Sequence, residues 1–148
     1  MADNDVADYF KSTIAKDFLD LFAGERIGRG ISRAVYEYRI DPTLVIKIEL
    51  ASQRFQNMQE WENWRTWRET PGVARWLAPC VDISPCGIVM LQKRTRPLEQ
   101  DELPKTLPAF LTDTKIHNFG ILGGKVVCHD YALLVSSLSH RQRKAHWW

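Results

Sequence analysis

The densest run of chemically capable residues lies in the last third of the chain: Asp113-Thr-Lys115-Ile-His-Asn118-Phe-Gly-Ile-Leu-Gly-Gly-Lys-Val-Val-Cys-His-Asp130. Gly123-Gly124 is a tight-hairpin signal, because the favoured two-residue turns need positive φ at their centre. A hairpin there brings Asn118, just before one strand, close to Asp130, just after the other. An amide oxygen and a carboxylate converging on one point suit Mg²⁺, with the rest of its shell supplied by phosphates and water. Asp113, on the loop before, could accept a hydroxyl proton, and Lys115 could steady a transferring phosphoryl group. Singly, Asp113 and Asn118 also read as turn residues and Asp130 as a strand-end cap. The ordered set favours chemistry.

Two further groups lie upstream. Gly28-Arg29-Gly30 lets backbone approach a phosphate closely with N–H groups turned toward it, and Arg29 and Arg33 add charge nearby. Such a turn also simply joins strands. Lys47 sits inside the apolar run Leu44-Val45-Ile46-Lys47-Ile48, on the same strand face as Val45 and Glu49. A lysine there snorkels from an edge or neutralises a specific anion. The helix that follows offers Glu60 and Glu62 as its partner. Helical geometry sets these two about 200° apart, so only one can face Lys47.

These residues need elements to hold them. Residues 5–23 carry Val6, Tyr9, Phe10, Ile14, Phe18, Leu21 and Phe22 at amphipathic-helix spacing. Ala34–Ile40 and Leu44–Leu50, joined by Asp41-Pro42-Thr43, read with the glycine turn as an antiparallel meander. A helix is expected over 52–69, capped by Ser52 and stopped by Pro71-Gly72. Trp61, Trp64 and Trp67 on it read as an apolar stripe against the sheet rather than a stacking platform. Trp76–Ile83 and Gly87–Lys93 are two more strands. A proline-containing linker follows, then Phe119–Leu122 and Lys125–His129 as the hairpin strands, and Ala132–Leu138 as a short helix.

Composition sets outer limits. The chain has 148 residues, 45% of them hydrophobic and 26% charged, as in ordinary globular domains. A net charge of +2 provides no global field for nucleic acid. No apolar run is long enough to span a bilayer, and the N-terminus lacks the features of a signal peptide, so a cytoplasmic location is expected. Cys80, Cys86 and Cys128 show no metal spacing and read as reduced, mostly buried thiols. The basic segment around Arg141, Arg143 and Lys144 reads as a solvated, partly disordered end.

At this point the chain resembles the eukaryotic-like protein kinase superfamily. Asp113-x-Lys115-x-x-Asn118 is similar to the catalytic-loop pattern D-x-K-x-x-N, and Asp130-Tyr131-Ala132 stands where the family has D-F-G. Val45-Ile46-Lys47 resembles the strand motif V-A-I-K, and Gly28-x-Gly30-x-x-Arg33-x-Val35 follows the glycine-rich loop. The motifs keep the family's order over about residues 24–133. The likeness is nearest to the very small kinase-like proteins that bacteriophages encode.

The resemblance implies an α+β fold: an N-lobe over 24–94, with a five-stranded antiparallel sheet and one αC-type helix, after an N-terminal helix over 1–23. A minimal C-lobe over 95–139 would carry the catalytic loop and hairpin, followed by a tail at 140–148. It implies ATP and Mg²⁺. Gly28, Arg29, Gly30 and Val35 would cover the phosphates, with Val45 on the nucleotide. Lys47 would contact α- and β-phosphates, paired with Glu60. Asp113 would be the base, with Lys115 beside it, and Asn118 and Asp130 would hold the metal. A hinge at Leu91–Arg94 would take adenine.

The departures carry meaning. Arg33 replaces the third glycine, Leu111-Thr112-Asp113 stands for H-R-D, and Ala132 replaces the glycine of D-F-G. The segments before Asp113 and after Asp130 leave no room for an activation loop or the usual substrate-binding helices. The expectations that follow are a minimal kinase acting on a protein, in the host cytoplasm if phage-encoded, and a kinase-like protein that docks on a host partner. A second copy could supply a missing wall. A nucleic-acid module using the tryptophans ranks below both.

Overall fold

The computed structural model describes residues 16–50, 55–134 and 141–148. Residues 16–22 are helical and lead into β1 (Ala23–Arg29). The first part of the expected N-terminal helix, the Ser52 cap and most of the expected helix over Ala132–Leu138 lie outside the described residues.

Alternation of side chains builds the main sheet. β1, β2 (Arg33–Tyr38) and β3 (Leu44–Glu49) form the meander, with Val35 opposite Lys47. β4 (Cys80–Ile83) and β5 (Val89–Lys93) complete it, and β5 pairs with β3 so that Lys47 faces Met90 and Val45 faces Gln92. The strand order is β1-β2-β3-β5-β4, antiparallel throughout. The fold is thus α+β, with a five-stranded antiparallel sheet and few helices.

Helix α1 (Gln56–Trp67) connects β3 to β4 across one sheet face. It starts at Gln56 because a strand residue caps it: Glu49 Oε1 accepts the Asn57 N–H at 2.6 Å, satisfying a first-turn donor. Phe55 precedes it at φ 52°. Its fully buried residues are polar, Asn57 and Glu60, while Trp61, Trp64 and Trp67 pack half-buried on the core. Pro71 does not end this helix. The helix ends at Trp67, and Pro71 opens a short helix α2 (Pro71–Ala74) that drives Val73 into the core.

The remaining chain packs on the same core. Trp76–Ala78 was expected to begin β4. It instead crosses to the C-terminal hairpin, with Leu77 bridged in parallel to Cys128. That hairpin, β8 (Phe119–Leu122) and β9 (Lys125–Cys128), turns on Gly123 and Gly124 at φ +56° and +75°. It is joined by β6 (Arg96–Pro97). Gly120 allows the close approach of β6: a Cβ there would stand 2.6 Å from the Arg96 carbonyl oxygen.

The C-terminal residues are ordered, against expectation. β10 (Gln142–Lys144) pairs antiparallel with β7 (Thr106–Pro108), and Trp147 packs edge-on to Phe119 with ring centres 5.0 Å apart. Indole burial and ladder hydrogen bonds outweigh the local polarity that suggested a free end. One core joins Val73, Leu77 and Met90 to Leu107, Phe110, Phe119 and Tyr131. Cys80 and Cys128 are buried in it and Cys86 is exposed; all three are free thiols.

Candidate active site

The β-strand period aims three residues of neighbouring strands at α1. Val35 stands opposite Lys47, so Arg33, two residues before Val35, shares Lys47's face. Both cations meet Glu60 from the helix. Lys47 Nζ lies 2.5 Å from Glu60 Oε1 and Arg33 Nη2 lies 3.0 Å from Glu60 Oε2. Gln92 Nε2 and the Tyr131 N–H complete the carboxylate's shell at 3.1 and 2.9 Å. Glu62 instead forms a surface pair with Arg65. Burial alone would raise the Glu60 carboxyl, but Lys47 and Arg33 overcome it and hold it at about 2. Arg33 shows the mirror effect: burial opposes its charge, yet Glu60 and Asp130 raise it above its ordinary value.

The same cluster fixes the chain around Asp130. Lys47 also donates to the His129 carbonyl, and Arg33 Nη2 lies 2.6 Å from Asp130 Oδ1. The hairpin register puts Phe119 opposite Cys128, and the His129 N–H donates to the Asn118 carbonyl at 2.8 Å. Asn118 and Asp130 therefore flank one hairpin mouth, as the glycine pair predicted. His129 is locked by Thr95 Oγ1 at 2.8 Å and the His117 carbonyl at 2.7 Å. Burial, then the Lys47 charge, depress its pKa to about 4, so the ring is neutral.

Asp113 and Lys115 lie on a loop with little structure of its own. Their charged atoms are 3.6 Å apart, and both side chains are partly exposed. Lys115 Nζ also sits 4.6 Å from the centre of the Trp148 ring. The C-terminal segment holds this loop: Arg143 Nη2 donates to the Leu111 carbonyl, Thr114 Oγ1 to the His146 carbonyl, and the Ile116 N–H to the Trp148 carbonyl.

One cleft of about 1630 Å³ gathers Gly28, Arg29, Gly30, Val35, Val45, Lys47, Asp113, Lys115, Asn118 and Asp130 along its walls. That is larger than the roughly 300–1,000 Å³ of single small-molecule pockets. Leu91 is not brought there. Its side chain lines a groove on the opposite sheet face with Phe18, Tyr38 and Ile46. Strand alternation sends Gln92 to the cleft instead, and Gln92–Leu98 form that wall.

Sequence reasoning missed two members of the site. Arg33 looked like loop charge but is buried at the centre of the ion cluster. Gln92 was passed over, although a glutamine inside Val89-Met90-Leu91-Gln92 was a signal. It is fully buried and its Oε1 has no partner among the described residues.

The donor set fits Mg²⁺ only with help from a ligand. Among the described residues no group of three or more His, Cys, Asp and Glu side chains gathers at one point. The hairpin mouth supplies Asn118 and Asp130, whose Oδ1 and Oδ2 respectively make no hydrogen bond within the described residues. Two protein oxygens suit an ion that brings phosphates and water with it.

No model of a known protein family matches the chain, and no curated protein sequence matches it.

Proposed function

We propose that the chain is a miniature ATP-dependent phosphotransferase of the protein-kinase type, modifying a serine or threonine hydroxyl of a host or partner protein. The observation that carries the reading is Lys47, which lines the cleft with Asp113, Asn118 and Asp130 and is held 2.5 Å from Glu60 buried behind it. A lysine anchored by a carboxylate is set to contact phosphate oxygens without swinging away. The helix bearing Glu60 lies between the third and fourth strands of a five-stranded antiparallel sheet, which supports the N-lobe-like reading.

Each residue then has a role. The backbone of Gly28–Gly30 would cover the phosphates, and Lys47 would orient them. Asn118 and Asp130 would hold Mg²⁺, which neutralises charge on the phosphoryl oxygens. Asp113 would orient the acceptor hydroxyl and take its proton, with Lys115 beside the transferring group. Transfer of an adenylyl group from a reversed nucleotide would use the same side chains.

One contact favours a second reading, a kinase-like protein that acts by docking on a host partner. Arg33 occupies Asp130 Oδ1 at 2.6 Å, so an internal cation already neutralises a proposed metal ligand.

The deciding experiment compares α- and γ-labelled ATP with Mg²⁺, incubating wild type, Asp113→Ala and Asp130→Ala with bacterial lysate. Label from the γ-position on a discrete band, lost in both variants, is expected. Label from the α-position alone would assign adenylyl transfer. ATP binding without label on any protein would favour the docking protein.

A further inference from the structure

Asp130 stays open to the cleft, its side chain 46% exposed, while Arg33, Lys47 and Glu60 around it are buried. The cation that reaches its carboxylate is Arg33, from β2. That guanidinium forks between three acceptors: Glu60 Oε2 at 3.0 Å, Asn57 Oδ1 at 3.3 Å and Asp130 Oδ1 at 2.6 Å. The first two stand on α1 and are fully buried, so only Asp130 lies where a ligand can compete for it. Arg33 can therefore give up Asp130 and remain paired. A place also exists for the freed N–H groups. The β2–β3 register sets Glu49 directly opposite Arg33. Glu49 Oε1 caps α1 through the Asn57 N–H, but Oε2 is buried and makes no hydrogen bond within the described residues. Residues directly opposite on paired strands have Cβ atoms about 4.5–5.5 Å apart, within an arginine's reach. A buried carboxylate oxygen without a donor is costly, and beside a guanidinium it is a vacant acceptor.

We infer that Arg33 is a tethered counter-cation that closes Asp130 to divalent metal until nucleotide phosphate arrives, and then turns from Asp130 to Glu49. The inference rests on the phosphotransfer reading for the metal at Asn118 and Asp130, but the hold of Arg33 on Asp130 can be measured without nucleotide or transfer. Bare metal on Asp130 would face the guanidinium across a single carboxylate. At about 6 Å, repulsion between a dication and a unit cation is worth roughly tenfold in affinity even at the dielectric of water, and more in a buried cluster. Phosphate oxygens that enter with the metal carry the negative charge that offsets this repulsion. Arg33 is thus a positioning residue. It stands where the glycine-rich loop pattern has its third glycine, and it makes metal entry depend on nucleotide.

The test titrates Mn²⁺ into the full chain without nucleotide, read from the electron paramagnetic resonance signal of free Mn²⁺. Wild type is expected to bind weakly, and Asp130→Asn should leave that weak binding unchanged. Arg33→Gln should bind roughly tenfold or more tighter, and adding Asp130→Asn to it should abolish the gain, which locates the metal. Arg33→Lys keeps a cation for Glu60 without the guanidinium fork. It should show a severalfold gain, and it carries the test if Arg33→Gln does not fold. Equal Mn²⁺ affinity in wild type and the folded Arg33 variants would overturn the inference. So would a tenfold loss on Asp130→Asn alone, since the site would then already be open. Glu49→Gln, whose amide oxygen can still cap α1, should weaken binding of Mn²⁺ with ATP severalfold. Loss of a negative charge near phosphate would by itself strengthen it, so unchanged or tighter binding would overturn the turn to Glu49. A gain in Arg33→Gln without label transfer in the ATP experiment would leave the role of Arg33 standing and remove the phosphotransfer reading.

Discussion

On the sheet side of the cleft, Glu60 has no solvent exposure, and Lys47, Arg33, Gln92 and the Tyr131 N–H all converge on its carboxylate. On the loop side, Asp113 is partly exposed and its ion-pair partner, Lys115, stands 3.6 Å away beside the Trp148 ring. The first wall is centred on one carboxylate, and removing Glu60 strands two buried cations. The second is a backbone held from outside by the C-terminal segment, with its chemically capable side chains partly exposed. On the proposed phosphotransfer reading, the groups that would contact phosphate and those that would meet the acceptor fall on different walls. Substitutions that separate stability from activity test this division.

The largest effect is expected at Glu60. Glu60→Ala leaves Lys47 and Arg33 buried without their shared carboxylate and should cost about 3–5 kcal/mol, read from the urea midpoint. That is a large part of the stability of a small domain. Glu60→Gln keeps shape and some hydrogen bonds and should cost less. A Glu60→Ala loss below about 1 kcal/mol would mean that the cluster is not what holds this wall, and the comparison would fail.

The loop wall has its own support, which should fail separately. Trp147→Ala removes a half-buried indole from Phe119 and its hydrogen bond to the Pro104 carbonyl, for about 2–3 kcal/mol. Amide exchange should then rise most at Leu111–Asn118, while the β3 and β5 amides stay protected. A uniform rise would show that the two walls open as one unit.

How much of this was legible follows from the range of each interaction. The hairpin was readable because Gly123 and Gly124 are needed for their own φ values, a local demand. Lys47 and Glu60 were reached through the family likeness, since strand and helix geometry alone left Lys47 free to snorkel and Glu60 and Glu62 as alternatives that only the packing of the helix on the sheet decides. The site role of Arg33 was not, since its face depends on the register of β2 against β3, which no nearby residue states. The C-terminal ribbon was misread for the same reason. Arg141–Lys144 is locally polar, and the partner strand and the Trp147 pocket that order it lie far away in sequence.

Acid should weaken the sheet wall in two stages. His129 is depressed to about 4 in the fold, so the unfolded chain binds its proton first as pH falls. Its contribution is complete above about 6.5 and is lost as pH drops toward 4, at about 1.4 kcal/mol per unit of separation. Glu60, also depressed, contributes stability above its ordinary value near 4.5 that is lost as pH falls toward 2. Urea midpoints should therefore decline between about pH 6.5 and 4, and His129→Gln should flatten that stretch alone. A flat profile in wild type would mean that His129 is not held neutral by the wall.

The smallest stability effect is the most discriminating. Asp113 is exposed, and its ion-pair partner among the described residues is Lys115 at 3.6 Å, so Asp113→Ala should shift stability by no more than about 0.5 kcal/mol. If it orients and deprotonates the acceptor, the same change should lower label transfer by roughly 10²–10⁴-fold while ATP binding is kept. A loss of stability equal to that of a core change would make Asp113 a strut of the loop, and the loop wall would then be structural like the sheet wall. Unchanged stability with unchanged transfer would move the base elsewhere. Only the combination of an intact fold, intact nucleotide binding and lost transfer fits a cleft with one wall fixed by buried charge and the other left free to act.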